Sequence, residues 1–508
     1  MNSPLRLLRD LFPFSQPQAE NKAAEAFQGR LMTTTGLSPL EIVGRLTTEF
    51  LPRISSQTNL HMRFKLLEDV RHEAENALPV LEGHIAKAVL PLPREATNAA
   101  IHADNLLKGM VNAYTGIARS ILNNHHNSAL SHLLHRAIER AISTLARRQL
   151  LAYRAYAAPS PASWLALHEL YQMACDPRIK PLNGETAPIE HEYLGALLFA
   201  YLEPNKLPRA ELDQVHACTL QLAAYAIVGD ASPGAQSRHS AESCFLARPD
   251  RGSPGYPLTR LPAGTSAETG LIIDCTPVLA ALDRNLSRQP GQTVQPPLDA
   301  SPVLLQSLRV AIGGKTARRF SRNRFKPRAD LVGGLSQVIT FLDGNAFSRR
   351  SLDAIGRGDA QELNPSEWSL VDESPDGFLI RFIKGEKWNI GAGDIVALQP
   401  RESSKIHVCL VRRIATTRNR LELGLQLLSP QVSLVEIPVQ DAASLRAIFL
   451  HSLPAYGKFS GLIVPPGRLA ANQQITFNTL GRTLSRQIGK CIEANEGLEF
   501  VALDQLPE

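Results

Sequence analysis

Two stretches of the sequence carry residue types that could bind an anionic ligand. The first, Lys315 to Arg328, reads KTARRFSRNRFKPR and contains seven cationic side chains and no carboxylate. Because nothing within the segment neutralises this charge, an anionic partner is the simplest explanation for it. The segment holds two successive RxxxR spacings, Arg318/Arg322 and Arg324/Arg328.

The second stretch reads DESPDG and has a DxSxxG spacing, with Asp372, Ser374 and Gly377 at the three fixed positions. Strand-like residues alternate on both sides of it, which predicts two strands joined by a turn. Asp-x-Ser and glycine also populate ordinary turns. The DxSxxG spacing therefore indicates a binding site only in combination with the basic segment before it and the strand pattern after it.

A basic RxxxR segment followed by DxSxxG at a strand turn resembles the PilZ family of cyclic di-GMP receptors. The run LELGLQLL at Leu421 to Leu428 is similar to the closing barrel strand of that family. Cyclic di-GMP carries two phosphates and two guanines. Guanidinium groups can clamp phosphate oxygens, stack on a purine and donate to guanine O6 and N7.

The resemblance also implies roles for individual residues. Asp372 would accept hydrogen bonds from guanine N–H groups, and Ser374 would contact a phosphate or a base edge. Gly377 would let the backbone turn. The arginines carried over from the family are either Arg318/Arg322 or Arg324/Arg328, and both pairs remain open.

One departure from the family is the long segment from Gly334 to Glu367, which separates the arginines from DxSxxG. It contains LSQVITFL and SRRSLDAIGR, both of which can be read as short helices. Either a helical insertion lies between the arginine arm and the DxSxxG strand, or the arginines serve another purpose.

The sequence offers no catalytic or metal-binding constellation. Gly313-Gly314-Lys315-Thr316 resembles the end of a P-loop, but Arg309 occupies the place of the required glycine, and a helix precedes it where a P-loop follows a strand. No GxSxG, HExxH or dinucleotide fingerprint occurs. Four histidines lack a carboxylate or cysteine partner at a metal-ligand spacing: His125, His126, His132 and His135. We therefore expect no enzyme activity, no metal and no cofactor beyond the ligand.

The bulk composition is that of a globular protein. The chain has 508 residues, of which 44% are hydrophobic and 20% charged, with a net charge of +6. This length predicts roughly two to four domains. No stretch approaches the ~20 apolar residues of a membrane span. The N-terminus lacks a secretion signal, and the six cysteines form no CxxC pair. We expect a cytoplasmic protein.

The order of the patterns predicts an α+β multidomain chain: an N-terminal α-helical domain, then a small antiparallel PilZ-like β-barrel and a further β unit. Ser38-Pro39-Leu40-Glu41 is a capping box that marks the first helix. The predicted units are a poorly ordered arm (1–35), an α-helical interaction domain (36–232), a short segment of strands, turns and linker (233–300), a barrel domain with a helical insertion (301–432), and a C-terminal β subdomain (433–508).

These expectations define a function and an alternative. The first is a receptor that binds cyclic di-GMP between the arginine arm and the barrel and relays the signal to an unidentified protein partner through the helical domain. The alternative is a nucleic-acid-binding protein that uses the same basic arm. The sequence shows no aromatic series for stacking on single strands, which disfavours the alternative.

Overall fold

The computed structural model describes residues 26–31, 36–123, 130–176, 186–231, 242–261, 270–289, 293–313, 327–343, 365–386, 389–417, 420–438, 444–453 and 460–505. Within them, an N-terminal helical region is followed by antiparallel sheets, one of them a closed barrel, which confirms the predicted α+β layout. The likeness of this barrel to PilZ domains and the domain boundaries stay predictions. Among the described helices, none has the length and apolar character that crossing a bilayer requires.

The helical region begins with the predicted capping box. The backbone N–H of Glu41 donates to Ser38 Oγ at 3.3 Å, and the backbone N–H of Ser38 donates to Glu41 Oε2 at 2.8 Å. The helices are α1 Pro39–Arg45, α2 Leu51–Ser55, α3 Leu60–Lys87, α4 Arg94–Asn123, α5 Ser131–Arg154, α6 Pro161–Ala174, α7 Thr186–Tyr201 and α8 Leu212–Ala223. Their apolar faces share one core.

A small sheet and two further helices follow. The strands are β1 Ile227–Asp230, β2 Cys244–Ala247, β3 Tyr256–Pro257 and β4 Leu271–Asp274, in the order β1-β4-β2-β3. The helices are α9 Thr276–Leu286 and α10 Pro302–Ile312.

Helix α10 lies in the segment that we predict to begin the barrel domain, and its apolar face packs into the helical core. In the structure, Leu304 and Leu308 of α10 lie in the helical core, together with Phe245 of β2. The ring of Phe245 stacks on Tyr201 of α7 with the centroids 3.8 Å apart. The amphipathic period of α10 predicts a helix but does not say which core receives its apolar face.

The barrel consists of six antiparallel strands: β5 Arg328–Gly333, β6 Ser366–Ser374, β7 Gly377–Lys384, β8 Ile395–Pro400, β9 His407–Thr417 and β10 Arg420–Leu427. They close in the order β10-β7-β6-β5-β8-β9. Alternate residues fill the interior, such as Leu331, Trp368, Ile380 and Leu423. This alternation is the one that predicted the strands from the sequence.

The outer surface of the barrel is divided into a covered and an open part. Helix α11, Leu335–Leu342, confirms the helix predicted from LSQVITFL and packs with Val332, Ala397 and Val408 on the outside of β5, β8 and β9. The second predicted helix, residues 348–357, lies outside the described residues. The opposite side of the barrel, formed by the start of β5 with β6, β7 and β10, carries mainly polar side chains.

A second antiparallel sheet forms the C-terminal part. Its strands are β11 Val432–Ile437, β12 Leu445–Leu450, β13 Ser460–Val464, β14 Gln474–Thr479, β15 Arg482–Ala494 and β16 Glu499–Gln505, in the order β11-β12-β13-β16-β15-β14. The ring centroids of Phe449 in β12 and Phe477 in β14 lie 5.1 Å apart in its core, so the sheet curls around one apolar interior. Its other face packs against α11 and the covered side of the barrel.

Two buried residues of the helical region, Tyr156 and Leu90, pack into the core of the barrel. Tyr156, which has a φ of 51°, follows α5, and its side chain is buried among the interior residues of the barrel. Its hydroxyl donates to Leu207 O at 3.0 Å, and its carbonyl accepts from Thr416 N of β9 at 2.8 Å. The guanidinium of Arg209 lies 5.1 Å from the ring centroid. Tyr156 thus joins the interior of the barrel to the helical region through its ring, its hydroxyl and its carbonyl.

Candidate ligand-binding site on the barrel

The barrel brings together those predicted site residues that the structure describes. Arg328 begins β5, Asp372 and Ser374 end β6, and Gly377 begins β7. The other predicted arginines, Arg318, Arg322 and Arg324, lie outside the described residues.

The end of the basic segment and the DxSxxG hairpin are neighbours. Strand pairing sets Arg328 opposite Ser369 of β6. One residue earlier, Pro327 O accepts a hydrogen bond from Leu370 N at 2.9 Å. The chain therefore enters the barrel beside β6, two residues before Asp372.

Gly377 is required by the closure of the barrel. It has a φ of +151°, and a Cβ atom there would lie 1.9 Å from Leu425 O and 3.1 Å from the Cα of Gln426 in β10. A side chain at this position would push β7 away from β10. Ser374 Oγ donates to Gly377 O at 3.3 Å across the same turn. These two residues thus fix the hairpin.

Asp372 is placed by an irregularity in β6. The register shifts between Leu370 and Asp372, so that Leu370 pairs with Ile380 and Asp372 with Leu379. A residue inserted in this way re-aims the side chains that follow it. Asp372 is partly exposed on the outer surface beside Leu379, while Leu370 and Ile380 stay in the interior.

Arg328 belongs to an ionic cluster around a buried carboxylate. Glu367, whose side chain is 7% exposed, accepts from Arg328 and lies 2.9 Å from Arg401 Nη2 and 3.8 Å from Lys384 Nζ. Burial raises the pKa of Glu367, but hydrogen bonds from Arg401 and Arg328 outweigh it and hold this pKa below its usual range. Arg401 Nη2 also lies 3.0 Å from Asp330 Oδ1.

The cluster holds one cation more than it has carboxylates, since Arg328, Arg401 and Lys384 face Asp330 and Glu367. Two of the cations have exposed heads, because the side chains of Arg328 and Lys384 are 59% and 74% exposed, whereas that of Arg401 is 18% exposed. Arg401 and Lys384 alone match the charge of the two carboxylates. Arg328 can therefore turn toward an external anion while the carboxylates stay paired.

Four outward-facing residues continue from Arg328 around the barrel. Arg328 of β5 pairs with Ser369 of β6, Ser369 with Arg381 of β7, and Arg381 with Glu422 of β10. Directly opposed residues of antiparallel strands point to the same face. We call these four residues the outer polar row. It faces solvent and combines two guanidinium groups with a hydroxyl and one carboxylate, that of Glu422, which is paired with Arg381. The excess of guanidinium donors suits an anionic, hydrogen-bonding ligand.

Sequence reasoning missed Arg381. A signal was present, because the alternation of GFLIRFIK sets Arg381 opposite in direction to Phe378, Ile380 and Phe382. That signal gives only the face. The register with β6, which sets Arg381 in one row with Arg328, comes from the folded hairpin.

Comparisons with known proteins relate the chain to one receptor. Residues 40–232 match a family model described as "Cyclic-di-GMP receptor FimW, N-terminal domain". A curated protein of Pseudomonas aeruginosa, "Cyclic-di-GMP receptor FimW", is 23% identical over 493 residues, which cover 82% of this chain and 80% of that protein. These matches support a relationship to that receptor.

The matches do not reach every part of the prediction. The family model covers the helical region rather than the barrel, and neither match shows a PilZ domain. A solved structure, the insecticidal delta-endotoxin Cry8Ea1 of Bacillus thuringiensis, is 9% identical, covers 96% of this chain and 69% of its own, and has a TM-score of 0.13. A likeness this low carries no argument about fold or function.

Proposed function

We propose that this chain is a non-enzymatic receptor that binds cyclic di-GMP on the open outer surface of its β5–β10 barrel. The carrying observation is the hydrogen bond between Leu370 N and Pro327 O, at 2.9 Å, which joins the end of the arginine segment to the strand that bears Asp372. The name of the relative from Pseudomonas aeruginosa supports the choice of ligand.

Proximity in the sequence favours Arg324/Arg328 over Arg318/Arg322 as the ligand pair. Arg328 itself begins β5, and Arg324 is three residues before Pro327, whereas Arg318 is nine residues before it. Because Pro327 O is bonded to the strand that bears Asp372, we assign to the ligand the pair that is nearer to Pro327 in the sequence.

In this proposal different polar groups of the protein bind different parts of the ligand. Arg324 and Arg328 clamp phosphate oxygens, for which the planar guanidinium fork is suited. Asp372 accepts from guanine N–H groups at the exposed end of β6. Ser374 and Gly377 hold the hairpin in the shape that presents Asp372. Arg328 exchanges its contact with Glu367 for one with the ligand.

The signal would reach the helical region through Tyr156. Its carbonyl is bonded to β9, which pairs with β10, and β10 pairs with β7 of the ligand hairpin. A ligand that binds more tightly to one arrangement of these strands shifts the population of that arrangement. The helical region would then present a changed surface to a protein partner.

Titration calorimetry of the full chain tests the proposal. Cyclic di-GMP should bind at physiological salt, be recovered intact, and be preferred over GMP and over an RNA oligonucleotide. Arg324→Ala or Arg328→Ala should each weaken binding roughly 10- to 100-fold, as expected for a lost charge-assisted contact, and Arg318→Ala should matter less. Binding of every polyanion, with a steep loss of affinity in salt, would contradict the proposal and favour nucleic acid as the partner.

A further inference from the structure

Arg381 lies in the outer polar row of the barrel but is not among the site residues predicted from the sequence. We infer that Arg381 is a further ligand-contacting residue of the site, an inference that rests on the proposed cyclic di-GMP binding. It would supply a second guanidinium from the barrel itself, in the same outer polar row as Arg328.

The strand register sets Arg381 beside the site. It is one step along the outer polar row from Ser369 and two steps from Arg328. Neighbouring strands are ~4.8 Å apart, so the Cα atoms of the two arginines are separated by about 10 Å. Arg381 is also two residues along β7 from Leu379, the partner of Asp372, which is about 7 Å. A ligand over Ser369 is within reach of both guanidinium groups.

The hydrogen bonds of Arg381 leave one edge of its guanidinium open. Nε and Nη2 both donate to Glu422 Oε1, at 2.9 and 2.6 Å. Within the described part of the chain, the edge formed by Nη1 and Nη2 has no acceptor. Glu422 thus fixes the plane and direction of the guanidinium while three N–H groups remain for an external acceptor.

The burial of the pair fits this role. The Arg381 side chain is 38% exposed, whereas that of Glu422 is 22% exposed, so the cation is the more accessible partner. A held guanidinium loses little conformational entropy on binding, because the carboxylate has already restricted its rotamers. The chemistry that such a group recognises is the phosphate oxygens, or the O6 and N7 edge of guanine, of a cyclic purine dinucleotide.

The plain alternative is that Arg381 and Glu422 form only a cross-strand ion pair of the barrel. Arg446 of β12 offers a matched control, because Nη2 of its partly exposed guanidinium lies 2.6 Å from one carboxylate, Asp343. Arg446 lies on the C-terminal sheet and Asp343 at the end of α11, on the covered side of the barrel and away from the hairpin. Removing either arginine should change the stability of the fold similarly, and only the removal of Arg381 should change ligand binding.

The experiment is calorimetric titration of the full chain with cyclic di-GMP, using the parent, Arg381→Ala, Arg381→Lys and Arg446→Ala. We expect Arg381→Ala to bind roughly 10- to 100-fold more weakly and Arg381→Lys to recover only a small part of that loss, because lysine lacks the planar fork. Arg446→Ala should bind like the parent. Thermal unfolding of each variant checks that it is folded, and Arg381→Lys keeps the charge if the alanine variant unfolds.

The outcomes separate the inference from the function on which it rests. Parent-like binding by Arg381→Ala, with a parent that binds, overturns the inference alone. Full recovery by Arg381→Lys also overturns it, because Arg381 would then act only through its charge. Failure of the parent to bind overturns the proposed function, and the role of Arg381 with it.

Discussion

Two hairpins of this molecule share a loop length but differ in what their glycines do. In the barrel, β6 and β7 are joined by a two-residue loop between the paired residues Ser374 and Gly377. In the C-terminal sheet, β14 and β15 are joined by a two-residue loop between Thr479 and Arg482. Both hairpins belong to six-stranded antiparallel units with an apolar interior.

The glycine of the second hairpin is needed only for the backbone conformation of its own turn. Leu480 and Gly481 form the loop with φ values of 50° and 73°, and nothing lies within 4 Å of a Cβ atom added at Gly481. Two positive φ values are the signature of a type I′ turn, whose twist matches the strands. Gly377, by contrast, follows its loop and is pressed against Leu425 O of a third strand.

This difference shows that the DxSxxG spacing combines two separate requirements. Closure of the barrel requires glycine at position 377, and the shape of the turn depends on Ser374. Asp372 is partly exposed on the outer surface after a register shift in β6, where it pairs with Leu379 of β7. In the proposed function its carboxylate contacts the ligand.

Substituting the two glycines should give the largest contrast. Gly377→Ala is expected to destabilise the fold by on the order of 3 kcal/mol or more, because its Cβ would collide with backbone. Gly481→Ala should cost only about 1–2 kcal/mol, the conformational cost of the left-handed region. Chemical denaturation of both variants measures the difference between their unfolding free energies. Equal losses of free energy would mean that β10 can move aside for a side chain at position 377 at little cost.

Removing the exposed polar residue of each hairpin should separate ligand binding from folding. Asp372→Ala is expected to weaken cyclic di-GMP binding roughly 10- to 100-fold with the fold intact. The control is Asn478→Ala, which removes an exposed polar side chain beside the other loop and should bind like the parent. Calorimetry gives the affinities, and circular dichroism the folded state. A parent-like affinity of Asp372→Ala would remove this residue from the site.

A partly buried histidine beside the barrel hairpin should make stability depend on pH. His407 packs 5.1 Å from the ring of Phe378, and burial, with a smaller effect of Lys405, lowers its pKa to about 4. A lowered pKa means that the unfolded chain binds a proton first, so stability present above pH ~6.5 is lost as the pH falls toward ~4. After allowance for partial exposure, we expect a loss of about 1–2 kcal/mol.

The corresponding histidine of the C-terminal sheet is the control for this effect. His451 lies 4.6 Å from the ring of Phe449, and its Nε2 is 2.7 Å from Ser433 Oγ, whereas Nδ1 of His407 is buried without a partner among the described residues. We expect His407→Gln to reduce the pH dependence of the unfolding free energy between pH 7 and 4.5 more than His451→Gln does. An unchanged slope in His407→Gln would show that this histidine titrates normally.

The smallest expected effects concern the surface ion pairs. Arg381→Ala and Arg446→Ala should each change the unfolding free energy by only about 0.2–1 kcal/mol, the usual range for exposed pairs. Denaturant unfolding tests this. A loss of several kcal/mol in Arg381→Ala alone would show that this arginine is structural.

Elements defined by local patterns could be predicted from the sequence. The Ser38 capping box, helix α11 and the alternating run of β10 depend on residues that are close in the chain, and all are found as expected. The register of β6 against β7 adds an irregularity after Leu370 that alternation alone does not reveal.

Features that depend on distant contacts could not be predicted. The crowding at Gly377 comes from Leu425, the row position of Arg381 comes from strand pairing, and the destination of α10 comes from a core built by helices far earlier in the chain. For the site, the sequence indicated Arg328 and the hairpin but not the carboxylate of Glu367 that holds Arg328. Such contacts require the closed barrel.

Hydrogen exchange of the full chain with and without cyclic di-GMP tests the central claim most directly, since both hairpins report in one measurement. We expect ligand to slow amide exchange in residues 370–383 of the barrel hairpin and to leave residues 476–486 of the C-terminal hairpin unchanged. Protection confined to the C-terminal hairpin or to the helices, with the barrel hairpin unaffected, would contradict a ligand site on the outer surface of the barrel.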